Sequence, residues 1–373
     1  MIYFDAGATT LQKPETVARA MYRAVGRLSS PGRGSYPATR AAEETDLQCR
    51  TLAARLFGVA DPARVVFTSC ATHGLNIAVH TLVKPGGRVI ISGYEHNAVT
   101  RPLHAIPGVE ITVADGPLFD GEEMVRQFAA ALACPADAVI CTHVSNVFGF
   151  RLPVERIAAL CREKGVPFVL DASQSAGMLP VDMDALGAAF IAMPGHKGLY
   201  GPQGTGLLLC GAEPEPLLRG GTGSQSILQE MPEELPDRLE AGTHNMPGIA
   251  GLLAGVRFVR RQGTEAILHH EQVLTRRTAE RLERLPGVET FACPDGTAQA
   301  GVLSFRVSGR DVEEIGEALA ERGIAVRAGL HCAPLAHRTA GTLDTGTVRV
   351  SFSAFSTLRE VDTLSRALRE ILK

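Results

Sequence analysis

Between residues 65 and 209, short and nearly unbroken apolar runs alternate with stretches of helical pattern, and this alternation leaves few folds open. The runs cover 65–67, 88–92, 109–113, 138–144, 166–170, 186–193 and 204–209. They lack the strict in–out alternation of a half-exposed sheet, so both faces need cover. Helical patterns over 75–82, 122–133 and 154–164 supply it. The expectation is a mostly parallel sheet sandwiched by helices, with ligands held beyond the carboxyl ends of the strands. His96, Asn146, Asp171 and Lys197 all fall in such strand exits.

Two exits carry chemistry together. Lys197 stands in the turn Pro194-Gly195-His196-Lys197-Gly198, and Asp171 opens Asp171-Ala172-Ser173-Gln174. A lone lysine in a glycine turn reads as solvated. An amine able to form a Schiff base, together with an acid able to pair with a pyridinium nitrogen, is what pyridoxal phosphate requires of a protein. Thr68-Ser69-Cys70-Ala71-Thr72-His73-Gly74 runs from a strand into a helix, a geometry that aims backbone N–H groups at an anion. An ordinary N-cap on Ser69 or Thr72 fits the same residues. Asp5-Ala6-Gly7-Ala8-Thr9-Thr10 is a small-residue loop, either a plain turn or a place where backbone approaches a ligand.

Helices are expected at 14–28 and 38–57, the second apolar at Leu47, Leu52, Ala53 and Leu56, with an irregular loop over 29–36 between them. After residue 209 come a glycine-rich turn at 220–224, an acidic excursion at 229–240 and a helical bridge over 245–285 broken near Gly263. Strands at 302–307 and 348–352, with helices at 311–321 and 358–372, then read as a compact α+β unit. This divides the chain into a large domain, 14–260, and a small one built from 1–13 and 261–373.

Of the 373 residues 45% are hydrophobic, and the net charge of −3 gives no broad attraction to nucleic acid or anionic membrane. No apolar run approaches a membrane span, and no basic region followed by an apolar segment opens the chain, so a cytoplasmic location is expected. The eight cysteines lack paired short spacings, which favours reduced thiols over disulfides or a zinc site; no metal is expected. No Gly-x-x-x-x-Gly-Lys-[Ser/Thr] phosphate loop occurs.

With Glu95-His96, His143-Val144-Ser145-Asn146, Glu240-Ala241-Gly242-Thr243, Arg327-Ala328-Gly329-Leu330-His331-Cys332-Ala333 and Val348-Arg349-Val350-Ser351 added to the segments above, the chain resembles the cysteine desulfurase / selenocysteine lyase family, within the class V aminotransferase group. The resemblance runs nearly end to end. It implies a fold-type I enzyme: a pyridoxal phosphate domain with a seven-stranded-type sheet and a smaller α+β C-terminal domain, paired as a homodimer with active sites at the interface. It implies catalysis by Lys197, Cys332 and His96. Lys197, Asp171, Gln174, His96, Ala71, Thr72, His196 and a neighbouring subunit's Thr243 would hold the pyridoxal 5′-phosphate. Arg349 and Asn146 would meet the substrate carboxylate.

The implied reaction takes L-cysteine to L-alanine with the sulfur left as a persulfide on Cys332, for transfer to an acceptor protein. Arg327 and His331 beside Cys332 favour its thiolate, whereas the other seven cysteines read as small hydrophobes. The following loop, 333–346, is expected to be mobile. L-selenocysteine lyase, a transaminase or epimerase on the same cofactor, and a non-catalytic family member are the alternatives. Pro194, Cys70, His73, Tyr36 and His244 depart from the family pattern, Pro194 by lacking a phosphate-binding hydroxyl.

Overall fold

In the computed structural model the apolar runs form one seven-stranded sheet. The structure describes residues 1–32 and 34–373; Arg33, within the loop expected over 29–36, lies outside the described residues. In chain order the elements begin β1 (Ile2–Tyr3), α1 (Glu15–Arg27), α2 (Pro37–Leu56), β2 (Val65–Thr68), α3 (Ala71–Leu82), β3 (Arg88–Ser92), α4 (Asn97–His104) and β4 (Glu110–Ala114). They continue α5 (Gly121–Ala131), β5 (Ala138–Thr142), α6 (Val154–Lys164), β6 (Phe168–Asp171), α7 (Met183–Leu186), β7 (Phe190–Pro194) and β8 (Gly206–Cys210). Then follow α8 (Met246–Gln262), α9 (Thr264–Leu282), β9 (Val288–Phe291), β10 (Val302–Val307), α10 (Val312–Glu321) and β11 (Ile324–Ala325). The last are β12 (Arg327–Gly329), α11 (Pro334–Thr339), β13 (Thr347–Ser351) and α12 (Leu358–Ile371).

The strand order is β2-β8-β7-β6-β5-β3-β4. All pairs are parallel except those made by β8, which runs antiparallel to β2 and β7. Every residue of β5, β6, β7 and β8 is buried, which explains their unbroken apolar sequences. The order reverses between β3 and β5, opening a crevice at their carboxyl ends where His96 and Asn146 emerge.

Small residues seat the Lys197 turn. Helix α8 packs against α1 and α2 and carries Gly251 and Gly255 on the face toward that turn. A Cβ on Gly255 would lie 2.3 Å from the Leu199 carbonyl oxygen, so only glycine permits this approach. A second sheet, antiparallel in the order β12-β13-β10-β9, packs Phe305, Val348 and Val350 against Leu364 and Leu368 of α12. The N-terminal arm joins it: β1 pairs with β11, and Asp5 bridges to Ser351.

Several expectations fail for physical reasons. Helix α3 starts at Ala71 rather than 75; its N-cap is Cys70, which caps no N–H, so neither Ser69 nor Thr72 plays that part. Leu47 of α2 is exposed, being about 100° around the helix from Asp46, whose ion pair with Arg50 occupies the inner line with Ala53. Four cysteines are buried (49, 141, 161 and 210); Cys70 and Cys293 are half-buried, and Cys134 is exposed like Cys332. The segment expected to be a mobile loop after Cys332 contains α11, and Ala333, Ala336, His337 and Thr342 are buried.

Candidate active site

Each side chain of the crevice is delivered by a strand end. Lys197 follows β7, and its turn is clamped by the N-terminal arm: the His196 carbonyl accepts from the Thr10 N–H at 3.1 Å and the Thr10 hydroxyl at 3.0 Å. Loss of water lowers the Lys197 pKa to about 8; Asp171 opposes the fall, and Arg349 and Arg327 add to it. Asp171, the last residue of β6, is buried and takes the Ser173 N–H on Oδ1 at 2.9 Å.

His96 is the N-cap of α4, and its Nδ1 accepts from the Ala98 N–H at 2.9 Å. That bond fixes the ring and leaves the proton on Nε2. Burial drives its pKa down to about 4, against the pull of Asp171, so the ring is neutral. Burial likewise takes His196 to about 4.

The α3 N-terminus completes the floor. With Cys70 capping nothing, its first-turn N–H groups and dipole remain for an anion. Cys70, Ala71, Thr72, His96, Asn146, Asp171, Gln174, His196 and Lys197 line one pocket. An amine, a neutral aromatic ring, a carboxylate and an anion-accepting turn in one cleft suit a flat aromatic ligand bearing a phosphate.

Cys332, which follows β12 of the other sheet, adjoins this cleft without lining it. Its carbonyl accepts from the Asn97 N–H at 2.8 Å, which sets it beside His96, and its exposed Sγ lies 3.5 Å from the Arg327 guanidinium. Arg349, which a strand position could have turned to water, is instead buried. It bonds Asp5 at 2.5 Å and the Asn146 carbonyl at 3.0 Å, and its Nε is unpartnered.

The aminotransferase class-V family profile matches residues 2–364. The chain belongs to that family. Among class-V proteins it is 34% identical over its whole length to the "Probable cysteine desulfurase" of Mycolicibacterium paratuberculosis, of which it covers 55%. It is 33% identical to "Probable cysteine desulfurase 1" of Mycobacterium leprae, covering 62% of that protein, so it spans under two thirds of these two relatives. Against the "Probable cysteine desulfurase" of Pyrococcus abyssi it is 32% identical, with all of this chain and 94% of the relative covered. The apo cysteine desulfurase from Thermococcus onnurineus NA1 superposes with a TM-score of 0.91 at 31% identity, over 100% of this chain and 94% of that one. The cysteine desulfurase CsdA (S-sulfonic acid) from Escherichia coli gives 0.85 at 27%, over 99% and 94%.

Within this class-V chain, Thr243 stands apart from the Lys197 pocket. It lines a neighbouring cavity of about 440 Å³ with Ser69, His73, Leu217 and Leu218. Asn146 gives one amide N–H to the His331 carbonyl at 2.8 Å, and Gln174 gives one to the Gly7 carbonyl at 2.9 Å. Both expected ligand contacts therefore share their donors with the scaffold.

Two acids had no expected task. Asp5 neutralises Arg349 across the whole chain. Glu95, wholly buried in the turn three residues past β3, takes the Ser92 hydroxyl at 2.5 Å and the Thr142 N–H at 2.7 Å. Burial raises its pKa to about 8. Its position between an apolar strand and His96 was the available signal. His143 is buried with both ring nitrogens unpartnered, and burial takes its pKa to about 3. Beneath the Thr243 cavity, Arg50 bonds Asp46 at 2.7 Å and Glu240 at 2.6 Å, and His244 completes the cluster.

Proposed function

We propose that the chain is a cysteine desulfurase dependent on pyridoxal 5′-phosphate, turning L-cysteine into L-alanine with the sulfur captured on Cys332 and passed to an acceptor. The observation that carries this reading is Lys197 and Asp171 in one pocket, with Arg327 near enough to act on the Lys197 charge and 3.5 Å from the Cys332 sulfur. The residues fit the cofactor. The uncapped α3 N-terminus with Thr72 and His196 suits its phosphate, although Pro194 offers no hydroxyl there. The His96 ring suits its aromatic face, Gln174 its phenolic oxygen and Asp171 its ring nitrogen. When bound, the cofactor supplies a sink for the electron pair left as the Cα proton departs.

Lys197, with a pKa drawn to about 8, exists partly as free amine near neutral pH and can take that proton. The free Nε–H of Arg349 is available to the substrate carboxylate. The Cys332 sulfur, 3.5 Å from Arg327, bonds to the substrate sulfur as the Cβ–S bond breaks. The sum is cysteine plus enzyme thiol giving alanine plus enzyme persulfide. A homodimer follows from the same reading: Thr243 stands beside Leu217 and Leu218, and Leu218 and Ile227 are exposed, as a surface covered by a second copy would be.

The test is incubation with L-cysteine and reductant, following alanine and sulfide together. Wild type should form both in equal amounts, and Cys332→Ala should form neither. Retained selenocysteine turnover by Cys332→Ala would redirect the reading to a selenocysteine lyase. Alanine formation by Cys332→Ala equal to wild type would defeat the sulfur-capture role.

A further inference from the structure

Cys332 sits in a turn that most side chains avoid. His331 and Cys332 have φ of 50° and 57°, in the left-handed region, and two such residues in succession persist only where their surroundings hold them. Histidine enters that region more readily than most residues, but preference alone does not fix a turn. The sequence suggests that His331 lends positive charge to the neighbouring thiol. The structure does not bear this out. The residue is 2% exposed, and burial, with Arg349, His337 and Arg327 nearby, takes its pKa down to about 2. The ring is neutral, and it is bound to Thr347 of β13.

Its hydrogen bonds run one way. Nε2 lies 3.1 Å from both the carbonyl and the hydroxyl oxygen of Thr347. The Thr347 hydroxyl donates to the Ser304 hydroxyl at 3.1 Å, which in turn donates to the Val147 carbonyl at 2.6 Å. Each hydroxyl has a single proton, so Thr347 presents His331 with lone pairs only. The imidazole proton is therefore on Nε2, and Nδ1 is left bare, buried and unpartnered. With the proton on Nδ1, a bare Nε2 would face two acceptors. Against the ring stacks His337 at 5.6 Å, itself fixed by the Thr342 hydroxyl at 2.7 Å and lying 5.7 Å from Phe148. Both supports end on Val147 and Phe148, just beyond the exit of β5. The turn that carries the thiol is thereby registered to the sheet that carries Lys197.

We propose that His331 is a positioning residue for Cys332: its Nε2–H, donated to Thr347, locks the left-handed turn so that the sulfur stays beside Arg327 at the edge of the cleft. It acts by geometry and not by charge. Its effect on turnover rests on the sulfur-capture reading set out above; its effect on the turn does not.

The turn reports on itself through two amides. The Asn97 N–H donates to the Cys332 carbonyl at 2.8 Å, and the Ala333 N–H to the Leu330 carbonyl at 2.9 Å. Hydrogen exchange at both is followed by mass spectrometry in cofactor-free wild type, His331→Met and His331→Gln. The two substitutes have nearly the same shape, and only Gln has an N–H for Thr347. Exchange should be about fivefold faster in His331→Met, the factor that one hydrogen bond carries, and within about twofold of wild type in His331→Gln. In protein loaded with pyridoxal phosphate, His331→Met should lower kcat for alanine formation from L-cysteine by about the same factor, with KM unchanged because Cys332 does not line the pocket, and His331→Gln should restore most of it.

Wild-type exchange in His331→Met would overturn the lock, and a His331→Gln as fast as His331→Met would show that the donor is not what matters. A rise in KM at unchanged kcat would move the role from the thiol to the pocket and overturn it too. If neither variant folds, Thr347→Val, which keeps the shape and removes the hydroxyl acceptor, should speed exchange at the same two amides, and unchanged exchange there would overturn the proposal. Loaded wild type that makes no alanine from L-cysteine would defeat the desulfurase reading instead, and the cofactor-free exchange would still decide whether His331 holds the turn.

Discussion

Replacing His244 by Gln measures how much one imidazole contributes to a buried ion cluster. Nδ1 of His244 lies 3.3 Å from Asp46 and Nε2 lies 3.1 Å from Glu240, carboxylates that Arg50 also holds. Bonds to Asp46 and Glu240, working against burial, raise the His244 pKa to about 9. The side chain is only 20% exposed, so water screens little of this attraction. The folded pKa exceeds the unfolded one. The stabilisation is therefore fully present below about pH 6.5 and is lost as pH rises through about 9. Moving a histidine from its ordinary value to about 9 corresponds to roughly 3 kcal/mol. Urea unfolding should show His244→Gln less stable than wild type by about 3 kcal/mol at pH 6 and by under about 1 kcal/mol at pH 9.5. A deficit that stays the same across that range would refute the assignment of a charged His244.

Arg349→Lys should destabilise by about 3 kcal/mol in the same assay, because an ammonium cannot serve Asp5 and the Asn146 carbonyl together; no change would mean that the arm is held by other contacts. Glu271 of α9 is buried with Oε2 unpartnered, and burial raises its pKa well above the usual value, so its folded form resists ionisation. Its contribution is lost as pH rises, and Glu271→Gln should raise the urea midpoint more at pH 8 than at pH 4.5; a gain of equal size at both would contradict this. Gly177 has φ of 90°, and a Cβ there would meet the Gly198 carbonyl at 2.1 Å. Gly177→Ala should therefore cost more than about 1 kcal/mol and displace the backbone beside Lys197, measured by unfolding and by crystallography.

The sheet was legible in the sequence because its central strands are buried on both faces and leave long apolar runs, as 138–142 and 190–194 do. Helix α4 was not, because Pro102 lies inside it and its cap is a histidine. Helix α7 spans only four residues, too few for a periodic signal. Helix α11 hid behind threonine and glycine, since its order comes from the His337–Thr342 bond and from burial rather than from propensity. In the site, Lys197, Asp171, His96, Asn146 and Gln174 were readable as strand exits, and they line one pocket. The Asp5–Arg349 pair was not readable, because nothing local in either segment names a partner 344 positions away. The second demand on Asn146 was hidden too, since a backbone carbonyl in a distant turn leaves no trace in composition.

That Asp5–Arg349 pair also sets a timetable for synthesis. The carboxylate leaves the ribosome before its guanidinium, which is added 344 positions later. At about 10 residues per second the nascent arm waits on the order of half a minute with neither its strand partner nor its counter-charge. The Lys197 turn, which Thr9 and Thr10 help to brace, thus gains a fully anchored arm only after Arg349 has been made.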